Sequence, residues 1–93
     1  MANAISVSLL SNASATGSAA VFRGGRALFI AEATWGGGTV KLQVCGPNGT
    51  YVDVSGGSLT ANGTTAVLNL PPGSYKANVA TASAVYAGIY EVP

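Results

Sequence analysis

Acid–base and nucleophilic chemistry in this 93-residue chain would have to come from Glu32, Asp53, Glu91 and Cys45, because there is no histidine. That excludes His-based proton transfer, Ser-His-Asp triads and His-ligated metals. A single cysteine makes neither an intrachain disulfide nor a thiolate metal site, and Cys45 reads as a small apolar residue at a strand end. Two carboxylates flanking a glycosidic bond could hydrolyse it. These three are scattered, however, and each lies beside outward-facing positions of a strand pattern, as solvated surface groups do. The sequence therefore reads as a non-enzyme with no catalytic, cofactor or metal residues. Gly36-Gly37-Gly38 is not a phosphate loop: no Gly-Lys-Ser/Thr follows it, and the next element is a strand instead of a helix whose N-terminus could hold an anion. Trp35 beside those glycines, with Tyr51, Tyr86 and Tyr90, could form a sugar-stacking platform. The favoured reading packs Trp35 in the core or at a subunit interface.

The elements that must position these residues are short strands. In Thr39 to Val54, Val40, Leu42 and Val44 alternate with Thr39, Lys41 and Gln43, the period of two of a half-buried strand. Gly46-Pro47-Asn48-Gly49 turns the chain, and Val52 and Val54 resume the apolar face opposite Tyr51 and Asp53. Ala4 to Leu10 alternates as well, with Ile5, Val7 and Leu9 against Ser6 and Ser8, and reads as a strand, at a sheet edge or as an arm. Ser11 to Ala20 is small and polar and reads as a loop or weak strand, so residues 1–20 could form an extended or flexible arm. Gly24-Gly25 is a turn or bulge.

Arg26 to Trp35 reads as a strand apolar on both faces, Ala27, Phe29, Ala31, Ala33 and Trp35 on one side and Leu28 and Ile30 between Arg26, Glu32 and Thr34 on the other. A helix is its rival, with weak capping. Ser55 to Ser58 and Asn62-Gly63 mark turns, and Thr65 to Leu70 alternates again. Pro71-Pro72-Gly73 ends that strand, and Tyr75 stands where the tyrosine of a Greek-key corner bonds back to the turn backbone. Tyr75, Ala77 and Val79 face inward. A last strand, Val85 to Val92, places Val85, Ala87 and Ile89 opposite Tyr86, Tyr90 and Val92.

About seven or eight short strands with regular turn signals predict one all-β domain over 1–93, an antiparallel β-sandwich (Greek-key or jelly-roll-like) or a small β-barrel. Its expected core is Val40, Leu42, Val44, Val52, Val54, Leu68, Leu70, Tyr75, Ala77 and Val79.

Composition bears on assembly. Only 8% of residues are charged, against about 25% in ordinary soluble domains. A small domain has much surface to cover, and 48% of this chain is hydrophobic. The expectation is an obligate oligomer whose neighbours cover Leu28, Phe29, Ile30, Trp35, Tyr86 and Tyr90. A net charge of +1 is too small to drive binding to nucleic acid or an anionic membrane. The N-terminus lacks a basic region before an apolar run and reads as neither signal peptide nor span. Asn12, Asn48 and Asn62 fit the glycosylation pattern but read as turn residues in a chain made in a cytoplasm.

The segments TWGGGTVKLQVCGPNGTYV, LTANGTTAVLNLPPGSYKANV and AVYAGIY, within Phe22 to Val92, resemble small virion proteins of tailed bacteriophages, in particular head decoration or capsid cement proteins. That resemblance implies a β-rich subunit made in the host cytoplasm and added to the capsid exterior, often as a trimer. Its partners would be the major capsid protein and its own copies, and it carries no catalytic residue. The alternatives are a carbohydrate-binding β-sandwich for glycan attachment through Trp35, or a head-fibre or tail component.

Overall fold

The structure, a computed structural model, describes residues 6–92. Ala4 and Ile5 of the first expected strand lie outside these residues. The strands are β1 (Ser6–Ala13), β2 (Ala20–Phe22), β3 (Gly25–Thr34), β4 (Thr39–Cys45), β5 (Tyr51–Leu59), β6 (Gly63–Thr64), β7 (Leu68–Leu70), β8 (Gly73–Ala80) and β9 (Ser83–Glu91). They form two antiparallel sheets, so the protein is a β-sandwich and not a closed barrel. Sheet A runs β1-β9-β3-β6, with β7 also on β3, and sheet B runs β2-β8-β4-β5.

Because β6 and β7 both lie along β3, they act as one interrupted edge strand. The pairing then nests: β1 with β9, β2 with β8, β3 with β6 and β7, and β4 with β5. Contacts of β9 with β3 and of β8 with β4 complete the two sheets. This is the jelly-roll arrangement, a long antiparallel hairpin wrapped into a sandwich.

The expected alternations supply the core. Ala27, Phe29 and Ala31 of β3 face Val40 and Leu42 of β4, Tyr75 and Ala77 of β8, and Val85 and Ile89 of β9 across a buried interior. Phe22 packs edge-on against Tyr75, ring centroids 6.1 Å apart at 81°. Burying such a ring completely stabilises by about 1.5–3 kcal/mol. The Tyr75 hydroxyl donates to the Pro71 carbonyl at 2.5 Å, so the corner folds as its sequence indicates.

Between β6 and β7 the ladder is carried by Thr65. Its N–H donates to the Phe29 carbonyl at 2.9 Å, and its Oγ1 accepts from the Phe29 N–H at 3.1 Å. The hydroxyl itself donates a hydrogen bond to the Ala66 carbonyl. A side chain thus replaces a backbone acceptor where the edge strand is interrupted.

Two expectations change. Val52 pairs with Val44 but is 49% exposed; it lies on the sheet edge beside the Gly46–Thr50 loop, and alternation does not reveal where a sandwich thins out. Ser55 to Ser58 is no turn between strands. It is a bulge inside β5, with Asp53 opposite Gln43 and Ser58 opposite Lys41, and Gly56 at φ 78° takes up the extra length. Residues 6–13 form the edge strand of sheet A, in line with the alternation read from Ala4 to Leu10. The segment that follows is tied down by hydroxyls: Thr16 Oγ1 accepts from Val79 N at 3.1 Å and Ser14 Oγ from Ala84 N at 3.4 Å.

Candidate functional site

The two broad faces of the sandwich differ in chemistry. Outward positions of sheet B carry Lys41, Gln43, Asp53, Lys76 and Asn78. Asp53 accepts from Gln43 Nε2 at 2.9 Å and pairs with Lys41 at 3.7 Å. Lys76 lies 4.4 Å from the centroid of the Tyr51 ring. The middle of this face is polar and satisfies its own charges, while its edge strands expose Val21 of β2 and Val52 of β5.

Sheet A presents the opposite. Alternation along β3 turns Arg26, Leu28, Ile30 and Glu32 outward, since Ala27, Phe29 and Ala31 are fully buried. The same alternation along β9 turns out Tyr86, Gly88 and Tyr90, because Val85, Ala87 and Ile89 fill the core. Register joins the rows: Leu28 opposite Tyr90, Ile30 opposite Gly88, and Glu32 opposite Tyr86. On the other side of β9, Ser6 stands opposite Tyr90 and Ser8 opposite Gly88.

A glycine between two tyrosines leaves a notch. Tyr86 and Tyr90 are 49% and 46% exposed. With Ile30, Glu32, Ser6 and Ser8 they enclose an open groove of about 160 Å³ whose floor is Gly88. That is below the roughly 300–1,000 Å³ of pockets that bury a small ligand. The floor is sterically fixed: a Cβ on Gly88 would lie 2.9 Å from the Val7 carbonyl oxygen and 3.3 Å from Cε1 of Tyr90.

Of the six residues expected at an interface, Leu28, Ile30, Tyr86 and Tyr90 come together on this face. Phe29 does not: it is 0% exposed and points into the chain's own core, so it offers nothing to a neighbour. Trp35 is elsewhere, partly buried against the core. Its Nε1 donates to Asn62 Oδ1 at 2.7 Å, and the same oxygen accepts from Ala33 N at 3.0 Å. Gly36 and Gly37, at φ 52° and 82°, turn the chain directly after it, and Gly38 N bonds back to the Trp35 carbonyl at 2.7 Å. These bonds fix the indole on the chain's own loop, away from Tyr86 and Tyr90.

The carboxylates stay apart. Glu91 pairs with Arg23 at 2.6 Å, Asp53 lies on sheet B, and Glu32 lies on sheet A. Among the described residues no group of three or more His, Cys, Asp and Glu side chains converges on a metal-sized site. Cys45 is exposed at the end of β4. Alternation places Ser6 and Ser8 on the outer side of their strand but does not single out Gly88, and the meeting of all three depends on cross-strand register. Comparison with family models, curated protein sequences and solved structures finds no match to this chain.

Proposed function

We propose that this chain is a structural virion protein of a tailed bacteriophage. It decorates or cements the capsid exterior through contacts with the major capsid protein and its own copies, with no enzymatic activity and no cofactor. The observation that supports this reading is the difference between the faces: the middle of sheet B is polar and charge-paired, with exposed valines only on its edge strands, while the middle of sheet A exposes Tyr86 and Tyr90 beside Leu28 and Ile30. An aromatic and aliphatic patch on one broad face of a charge-poor domain is the usual mark of a contact surface. The experiment is to measure copy number in purified particles. A number comparable to the capsid subunit supports decoration, a handful of copies points to a fibre or tail component, and absence defeats the virion reading. Tyr86→Ser with Tyr90→Ser should reduce incorporation while the isolated domain stays folded.

The groove over Gly88 favours a second reading, glycan attachment, because it combines stacking rings with the Glu32 carboxylate and the Ser6 and Ser8 hydroxyls. Binding to a glycan array that is lost in Tyr86→Ala, with particle incorporation unchanged, would select that reading.

A further inference from the structure

Four cations and three carboxylates make up the charges of the chain. Arg23 pairs with Glu91 and Lys41 with Asp53, and Lys76 rests on the Tyr51 ring. Among the described residues, Arg26 and Glu32 remain without an ion-pair or cation–π partner. Both are exposed, and both lie on the outward side of β3. Only Leu28 and Ile30 stand between them on that side, so the row reads cation, aliphatic, aliphatic, anion over about 20 Å of strand.

Such a row is complementary to its own reverse. From this we infer that the outer face of sheet A is a self-pairing surface whose occupant is a second copy of the same chain. The two β3 strands run antiparallel across a two-fold axis lying in the interface at the level of Phe29. That operation sets Arg26 of each copy against Glu32 of the other, and Leu28 against Ile30.

Register on β9 fits the same operation. Tyr90 is level with Leu28, and Gly88 is level with Ile30. The axis therefore brings Tyr90 of each copy over the Gly88 notch of the other, a ring facing the position that has no side chain. Tyr86, level with Glu32, comes to the level of Arg26 of the second copy, where a guanidinium can lie on its face. A different protein would have to supply both signs at this spacing by coincidence, whereas a second copy supplies them by symmetry. Area is sufficient: the molecule spans 38 × 33 × 20 Å, so a broad face can offer the roughly 800 Å² per partner of a standard interface. The inference rests on reading sheet A as the assembly face and names what covers it, which leaves the sandwich edges and sheet B for a larger lattice.

Sedimentation equilibrium of the purified full chain, without particles, is the test. The native chain should be a dimer at micromolar concentration, weakened by salt. Arg26→Glu and Glu32→Arg each place like charges together at both ends of the row. Each should raise the dissociation constant on the order of tenfold or more while leaving the far-UV circular dichroism unchanged. An equimolar mixture of the two variants rebuilds both opposite-charge contacts and should dimerise at least as well as the native chain. A monomeric native chain, variants that associate as the native chain does, or a mixture that stays monomeric would each overturn the inference. A monomeric native chain leaves the virion reading standing, because that reading is decided by copy number in particles.

Discussion

Tyr75 and Pro71 are joined by a 2.5 Å hydrogen bond from the phenol to the carbonyl, and Tyr75 is also the residue against which the Phe22 ring packs. One side chain thus fastens the β7–β8 corner and fills the middle of the core. Its substitution separates those roles. Tyr75→Phe keeps the packing and loses the bond, and should cost about 1 kcal/mol in urea denaturation because the exposed Pro71 carbonyl can turn to water. Tyr75→Ala should cost about 3–5 kcal/mol.

The same phenol gives the chain an alkaline limit. Burial pushes the Tyr75 pKa above its ordinary 10.0, so the folded chain retains a proton that the unfolded chain releases. The unfolded state then binds fewer protons, and stability falls with rising pH. For Tyr75 this contribution is complete below about pH 10 and is lost as pH rises through the raised folded value. Urea midpoints measured from pH 8 to pH 11.5 should decline more steeply for the native chain than for Tyr75→Phe. Parallel curves would show that Tyr75 does not contribute to the limit.

Thr65 should tolerate serine but not valine. Its Oγ1 is the acceptor for the buried Phe29 N–H. Thr65→Val preserves shape and strands that donor, at an expected cost of about 1–3 kcal/mol. Thr65→Ser retains the oxygen and should lie within about 1 kcal/mol of the native chain.

Asn62 gathers two donors on one oxygen, Trp35 Nε1 and Ala33 N. Asn62→Asp keeps that oxygen, whereas Asn62→Ala removes it. The alanine variant should lose about 1–2 kcal/mol, with a red-shifted tryptophan emission as the indole loosens. Equal emission spectra for the two variants would count against this clamp.

Gly88→Ala tests the notch. Its methyl group must displace the Tyr90 ring or the backbone of β1 at Val7. Overpacking of this kind costs about 1–3 kcal/mol, seen as a lower thermal midpoint. The same methyl obstructs the approach of Tyr90 from a second copy, so self-association should weaken further than the loss of stability explains.

Legibility followed sequence distance. The Thr39 to Val54 hairpin and the Tyr75 corner are local, so turn residues and a period of two were enough to place them. The outward pair Leu28 and Ile30 was legible for the same reason. Val52 was misplaced because depth within a sandwich depends on what the other sheet covers. Phe29 was assigned to an interface because a strand apolar on both faces does not reveal which face belongs to its own core. The bulge at Ser55 to Ser58 looked like a turn, since glycines serve both uses. Gly88 acquires meaning only once Ile30 and Ser8 are known to flank it, and no local pattern contains that pairing.

The nesting of first strand with last has a consequence for biosynthesis. β9 lies between β1 and β3 and hydrogen-bonds to both, so sheet A lacks its middle until Ser83 to Glu91 has emerged from the ribosome. Until then β3 is paired only on its β6 and β7 side, and the edges of β1 and β3 that β9 will occupy are open to other chains. Folding must await the end of β9, and closing such distant pairs is slow. The chain passes through an aggregation-prone interval while it is made, and low growth temperature or a bound chaperone should raise its soluble yield.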